Sequence, residues 1–441
     1  MLSTSIITVL AFASGTHAVE FEPVDGSPGL IDNGTYGHPI EIVHLFQHPP
    51  TGITVSSTGR AFISFNRGNL TANPKTLAEI VNSTHDVAWP SEDYNTPPEG
   101  LFNASSGVNY GSSDSEHLIN VQAVVFDALD RLWVLDTGRP ADEGGDNALA
   151  FPGGPKLVGF DFGNGTGKAP ASTTSTSNST SSKNETATSE TTPFTTITFP
   201  ETTLPANGFL NDVRIDLSKG DAGFAYIADS GALGLIVIDL ASGESWRHLD
   251  GIASVRPTSG FLPSIFGIPT YQASGGNPYY RFPAPTGGGS DGFTLSADGE
   301  YAYFTPIASR DLYRVPTELL RANPLHDALA IVKAASGVQY LGQVGGEADG
   351  LETDTTGKIY LTSPEHNAIN VLNPDTGLIE PFVRDPRIAW PDTLAVGYDG
   401  YLYVTLPQYW LGPWFQNGTD KRVPPFALAR VPIKGKPAKL V

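Results

Sequence analysis

A chain of 441 residues that is 39% hydrophobic and 10% aromatic can bury a large core, either as two or three ordinary domains or as one all-β ring whose repeats share their packing. Acidic residues outnumber basic ones 46 to 26, a formal net charge of -20, and no concentrated basic stretch is present, so nucleic acid is excluded as a partner and the excess suits a solvated surface. The absence of cysteine removes disulfides, zinc–thiolate sites and a cysteine nucleophile, and leaves stability to packing.

The N-terminus is apolar from Ile6 to Phe12 and then turns to small residues, with Thr16 and Ala18 at small-x-small spacing. This predicts a secretory signal peptide over residues 1–18 and a mature domain over 19–441. No later stretch approaches the ~20 apolar residues of a membrane helix, so no membrane span is expected. Asn-x-Ser/Thr sequons at Asn33, Asn69, Asn82, Asn103, Asn164, Asn178, Asn184 and Asn417 fit a glycosylated, extracellular destination.

Further along, the segment IEIVHLFQ stands alone before the first repeat and is expected to supply an outer strand to the last one. The repeats follow as GITVSSTGRAFISF, VQAVVFDALDRLWVLDTG, NDVRIDLSKGDAGFAYIADSG, DGFTLSADGEYAYFTP, DGLETDTTGKIYLTS and DTLAVGYDGYLYVTL. Each is an apolar strand, a tight polar turn and a second strand rich in Tyr, Phe, Leu and Val, which reads as a hairpin. Several continue into a third strand: GLIVIDL, DLYRVP, AINVLNP and FALARVP. Antiparallel units recurring at roughly 40 residues or more predict a β-propeller.

A Ser/Thr-rich insertion at about 163–201 is too poor in apolar groups to order itself. It lies between the strand-like KLVGFDF and FTTITF, which places it inside one blade. Helical periodicity is confined to TELLRA, Thr317 to Ala322, and the Gly-rich run from Ser274 to Gly292 reads as a loop because it lacks the strand and helix of a nucleotide fingerprint.

Several of these strings resemble the major royal jelly protein and yellow family: VQAVVFDALDRLWVLDTGRP, GFLNDVRIDL with FAYIADSGALGLIVIDLASGESWR, SDGFTLSADGEYAYFTPIASRDLYRVPTELLR, SPEHNAI and RDPRIAWPDTLAVGYDGYLYV. They follow the family's order from about Gly52 to Pro432. The resemblance implies a six-bladed propeller. It also implies a function drawn from isomerisation of dopachrome-like quinoids, binding of biogenic amines, or a nutritive or structural secreted role. The chain departs from the insect members in lacking their cysteines and in carrying the insertion.

In a propeller blade the start of the first strand and the end of the second meet at one rim. That rule gathers Gln122 with Asp136, Asn211 with Asp229, Asp291 with Thr305, Asp349 with Glu365, and Asp392 with Gln408. Close carboxyls in a shielded site repel one another, which raises a pKa and suits general acid–base work. The candidate catalytic residues are therefore Asp291, Asp349, Glu365, His366 and Asp392, with Gln122, Asn211 and Gln408 as ligand-binding residues. Tyr409, Trp410 and Trp414, in QYWLGPWF after the last repeat, are expected to stack on a planar or cationic ligand.

Each has a purely structural alternative. Asp291 and Asp349, both before glycine, fit turn caps. Asp136 and Asp229 fit hydrogen-bond acceptors that stabilise their blades. His366 fits an exposed loop, and the aromatics fit loop packing.

The resulting expectation is a cofactor-free isomerase or cyclase, monomeric, acting on an aromatic or quinoid small molecule, with a setting in natural-product chemistry. The alternatives are a non-catalytic binder of amines or aromatic metabolites and a calcium-dependent, lactonase-like hydrolase, calcium being the ion such an oxygen-rich ring would suit. Serine-hydrolase elbows, Walker loops and zincin helices are missing.

Overall fold

The second strand of the third repeat, FAYIAD, is apolar at nearly every position, and the computed structural model shows why. Ala225 and Ile227 pack toward one neighbouring sheet, while Tyr226 and Ala228 pack toward the other. A strand buried on both faces needs no polar alternation. The structure describes residues 34–103, 108–142, 145–162, 191–270 and 288–441. The expected signal peptide, the sequons at Asn33, Asn164, Asn178 and Asn184, and residues 163–190 of the Ser/Thr-rich insertion lie outside them.

The described residues form six four-stranded antiparallel sheets arranged as a six-bladed β-propeller. From the axis outward, blade 1 is Pro50–Val55, Ala61–Phe65, Leu77–Asn82 and His85–Ala88. Blade 2 is Val121–Phe126, Leu132–Asp136, Lys156–Phe160 and Pro193–Thr198, and blade 3 is Leu210–Asp216, Phe224–Asp229, Gly234–Asp239 and Ser245–His248. Blade 4 is Ser290–Leu295, Tyr301–Pro306, Asp311–Pro316 and Gln339–Gln343, and blade 5 is Leu351–Thr353, Ile359–Ser363, Ala368–Asn373 and Leu378–Arg384. Blade 6 combines Leu394–Val396, Tyr401–Leu406 and Phe426–Pro432 with Glu41–Phe46, whose residues pair from Glu41↔Arg430 to Phe46↔Phe426. The isolated N-terminal segment thus closes the ring, as its sequence suggests.

The innermost strands contact one another in order around the ring and back to blade 1. The main apolar clusters lie between blades. Trp133 and Leu135 of blade 2 meet Val213 and Ile236 of blade 3, and Phe62 and Trp89 of blade 1 meet Val134 and Phe160 of blade 2. Each fully buried large apolar side chain contributes about 1.5–3 kcal/mol. A ring of such seams supplies what absent disulfides would otherwise add.

Lys156–Phe160 and Pro193–Thr198 pair directly, so the Ser/Thr-rich insertion does interrupt a single blade. Its predicted end at about 201 overlaps this last strand, whose Thr-rich sequence is still β-compatible. TELLRA forms the helix Thr317–Arg321. A second helix, Ala330–Gly337, was invisible to periodicity because its buried face is Ala330 and Ala334, while Ile331 and Val332 face solvent. Among the described residues no helix is long and apolar enough to cross a membrane.

Candidate functional site

The inner strands enter the channel irregularly. In blades 1 to 4 the ladder slips at the start of the inner strand, between Pro50 and Ile53, Val121 and Ala123, Leu210 and Val213, and Ser290 and Phe293. In blades 5 and 6 regular pairing begins only at Leu351 and Leu394. Such bulges free backbone groups and re-aim side chains. A hydroxyl on the second strand satisfies several of the freed groups. Ser64 Oγ accepts from Gly52 N (2.8 Å) and donates to Gln122 O of blade 2 (2.9 Å). Thr362 Oγ1 accepts from Asp349 N and Gly350 N, both at 2.9 Å. Thr405 Oγ1 accepts from Thr393 N (3.0 Å) and donates to Thr51 O (2.8 Å), and Thr305 Oγ1 donates to Ala348 O (3.1 Å).

The glycines after the aspartates serve close approach. A Cβ on Gly292 would lie 2.5 Å from Asp349 O, and one on Gly350 would lie 2.2 Å from Asp392 O. Asp291-Gly292 and Asp349-Gly350 are therefore channel-wall pairs where successive inner strands converge, and not turn caps.

The result is a cavity of about 220 Å³ on the axis. Gln122, Asn211, Asp291, Asp349 and Asp392, each from the start of a different blade, line it together with Tyr409 and Trp414. Asn66, Arg139, Phe209, Ser230, Trp390 and Phe415 also line it. Asp349 and Asp392 are 5% and 6% exposed, and that exposure, like the larger one of Asp291, is toward the cavity.

The electrostatics follow from three carboxyls to which, among the described residues, no cation is bonded. Burial, and then the neighbouring Asp349 and Asp392, push Asp291 well above the usual carboxylate range. Burial, then Asp349 and Asp212, do the same to Asp392. Asp349 is pushed up to about 7 by burial, held back by hydrogen bonds from Trp390 and Asp291. Trp390 Nε1 donates to Asp349 Oδ2 at 2.7 Å. Burial and then Asp392 and Asp349 keep the Tyr409 phenol protonated far above its ordinary range. The three carboxyls are coupled, and burial with mutual repulsion favours keeping protons on the cluster.

Aromatic rings form the roof. Trp390 meets Tyr409 edge-on at 6.1 Å and Phe415 at 5.5 Å, and Tyr409 meets Trp414 edge-on at 5.8 Å. Trp390 adopts φ 52°, a left-handed conformation that a bulky residue holds only at a cost of about 1–3 kcal/mol. That strain aims its indole at Asp349. Among the described residues, Asn66 Oδ1, Gln122 Oε1 and Asp392 Oδ2 are buried acceptors with no hydrogen-bond partner.

Other candidates lie elsewhere. Glu365 sits beyond the rim, accepting from Arg310 at 2.6 and 2.8 Å, Glu347 N at 2.9 Å and Ser264 N at 3.2 Å. His366 is exposed, with Nδ1 3.0 Å from Ser363 Oγ. Gln408 clamps its own loop, donating to Val423 O (2.9 Å) and accepting from Val423 N (3.0 Å). Trp410 packs against Phe266 at 5.8 Å, above the cavity wall.

Asp136 accepts from Ile119 N and Asn120 N and pairs with Lys156 at 3.1 Å, while Asp229 accepts from Phe209 N and pairs with Arg247 at 2.6 Å. Each ties strands and the entry loop of its own blade together. Asn69, Asn82 and Asn417 are exposed and Asn103 is half-buried. No group of three or more His, Asp or Glu placed to ligate a metal occurs among the described residues.

Comparison with known proteins extends this picture. Over 92% of this chain and 99% of its own, a luciferin-regenerating enzyme is similar at 12% identity with a TM-score of 0.47. A calcium-binding regucalcin from Agrobacterium tumefaciens is similar at 14% identity and 0.45, over 92% and 98%. Virginiamycin B lyase from Staphylococcus aureus is similar at 12% and 0.43, over 90% and 99%. Likenesses at this level say nothing about chemistry. No curated protein matches the chain. The family profile described as major royal jelly protein matches residues 185–409, just over half of the sequence and including the inner strands that carry Asn211, Asp291, Asp349 and Asp392. The chain belongs to the major royal jelly protein family.

Proposed function

We propose that the axial cavity performs cofactor-free acid–base catalysis, isomerising or cyclising a planar, quinoid small molecule. The observation that carries this reading is the gathering of Asp291, Asp349 and Asp392 under an aromatic roof, with Asp349 pushed up to about 7. A general base works best when its pKa lies near the working pH. In its ionised form Asp349 takes a proton from a carbon of the substrate, breaking the C–H bond. The electron pair moves through the conjugated system to the quinoid oxygen, which takes a proton from neutral Asp291 or Asp392. Redistribution of one proton among the coupled carboxyls restores the starting state, so substrate and product differ only in where hydrogen sits. Confinement among Trp390, Tyr409 and Trp414 supplies the alternative of ring closure by holding reacting atoms in attack geometry. Reactive quinoids arise from oxidation of phenols, so such an enzyme belongs downstream of a phenol-oxidising step, in a secreted, natural-product setting.

The test is the rate at which dopachrome and a quinone methide rearrange with purified protein. Acceleration should rise with pH through about 7 as Asp349 ionises, and fall again at higher pH as the acid partner loses its proton. Reaction at the background rate at every pH overturns the proposal.

A second reading is a non-catalytic binder of amines. It is favoured by the unpartnered acceptors Asn66 Oδ1, Gln122 Oε1 and Asp392 Oδ2, which call for a ligand rich in donors. Saturable calorimetric binding of dopamine without turnover of either quinoid would select it.

A further inference from the structure

The cavity wall opposite the acids contains a cation that the acid–base proposal does not use. Arg139 follows the second strand of blade 2, is 8% exposed, and lines the same cavity as Asp291 and Asp349. Its Nη1 donates to Asn207 O (2.9 Å) and Gly208 O (2.8 Å), its Nε donates to Ala148 O, and its guanidinium lies over the Phe209 ring at 5.6 Å. All of these acceptors are neutral carbonyls. Among the described residues no carboxylate pairs with Arg139, and Nη2 has no hydrogen-bond partner.

Arg67 repeats the pattern next door. It is 3% exposed and donates to Leu118 O (2.6 Å), Ile119 O (2.8 Å) and Pro74 O (3.0 Å). It lines a recess that shares Asn66, Asn147, Phe209 and Trp414 with the acid cavity. The contrast with Arg247 and Arg214, whose buried guanidiniums sit on Asp229 and Asp212, is sharp. A buried charge without a hydrogen-bonded counter-charge is expensive. Backbone carbonyls here fix the guanidinium in place with no carboxylate in hydrogen-bond contact, Asp229 acting on Arg139 and Asp136 on Arg67 only from a distance, and burial outweighs that help. A guanidinium held this way can take an oxyanion arriving from outside.

We infer that Arg139 is the specificity-determining residue of the cavity, taking a carboxylate of the ligand and holding it so that the far end of the molecule reaches Asp349 and its neighbours. The inference rests on the cavity being a ligand site, as proposed above, and narrows that site's ligands to planar organic acids that also carry hydroxyl or amino donors. The donors meet Gln122 Oε1, Asn66 Oδ1 and Asp392 Oδ2, and the carboxylate meets Nη2. Arg67 adds positive potential without touching the ligand. Amines that lack an acid group fill only half of the recognition.

The test is calorimetric titration of the full chain with caffeate and with methyl caffeate, a planar dihydroxyphenyl pair differing in the charge of one group. A charge-assisted hydrogen bond of this kind corresponds to a preference for the acid of about tenfold or more. The preference should fall to near unity in Arg139→Gln and be partly retained in Arg139→Lys, which keeps the charge but loses the planar fork. Equal affinity of the native chain for both probes, binding of neither, or an undiminished preference in Arg139→Gln overturns the inference. If Arg139→Gln does not fold by circular dichroism, an unchanged preference in Arg139→Lys has the same force. Failure of the catalytic proposal looks different: quinoids then rearrange at the background rate while native protein and Asp349→Asn still prefer caffeate.

Discussion

Two ends of one channel treat buried carboxylates in opposite ways. Toward the far end of the inner strands, Asp212 Oδ1 lies 2.5 Å from Arg214 Nη1, whose Nη2 lies 3.4 Å from Glu352 Oε2 and donates to Leu351 O at 2.6 Å. The C-terminal residues Pro437 to Leu440 cover this end, with Lys439 Nζ donating to Phe126 O at 2.6 Å. Burial raises Asp212 and Glu352, but Arg214 pulls both back. At the other end Asp291, Asp349 and Asp392 have no such cation bonded to them among the described residues and face the cavity. The paired end acts as structure. The unpaired end carries stored electrostatic repulsion, a cost that a purely structural channel would have no reason to keep.

The comparison breaks most severely at Asp349. Asp349→Asn keeps the shape and removes the base, and should lower the rate of quinoid rearrangement by about 10²–10⁴-fold in single-turnover or steady-state assays. Next in size is the far end. Arg214→Met leaves Asp212 and Glu352 buried without their cation and should destabilise the fold by about 3–5 kcal/mol in denaturant titration.

The sign of the pH effect sharpens the contrast further. Folding raises Asp349 from the ordinary carboxylate range to about 7, so the native state binds its proton more tightly than the unfolded chain. Stability therefore falls as pH rises from about 4 through about 7, and Asp349→Asn should flatten this part of a Tm-against-pH curve. The smallest effect belongs to the cover of the far end. Lys439→Met removes one hydrogen bond from a half-buried cation and should cost about 1 kcal/mol or less, with quinoid turnover unchanged.

The hairpins were legible because apolar strands and tight turns recur, even where Asp130 at φ 59° replaces the usual turn glycine. The acids were legible as starts of inner strands. Asp291 was matched to Thr305 in the observed register, but the partners of Asp349 and Asp392 across the strand were placed two residues too far along. The ladders pair Leu351 with Leu361 and Leu394 with Val404, and continuing that register brings Ser363 and Leu406, not Glu365 and Gln408, opposite Asp349 and Asp392. Beyond those points the chain turns through Pro364–His366 and through Gln408 at φ 58°, carrying both side chains off the rim. Arg139, Phe209 and Trp390 were illegible as wall residues because they come from connections between strands, where no periodicity fixes direction. The hydroxyls of Ser64, Thr305, Thr362 and Thr405 do leave a signal, a Ser or Thr near the end of the second strand in blades 1, 4, 5 and 6, but its meaning depends on the irregular strand entry it satisfies.

The pairing of Glu41–Phe46 with Phe426–Pro432 joins two strands far apart in the sequence through a backbone ladder, the Glu41–Arg430 ion pair and the packing of Phe46 on Phe426, with no covalent bond. During synthesis Glu41–Phe46 must wait, with one ladder unfilled, until Phe426–Pro432 has emerged. Circularisation is then the last step of assembly, slow because it brings together such distant partners. Without a covalent latch, that same seam is where the finished ring opens first under heat or mechanical load.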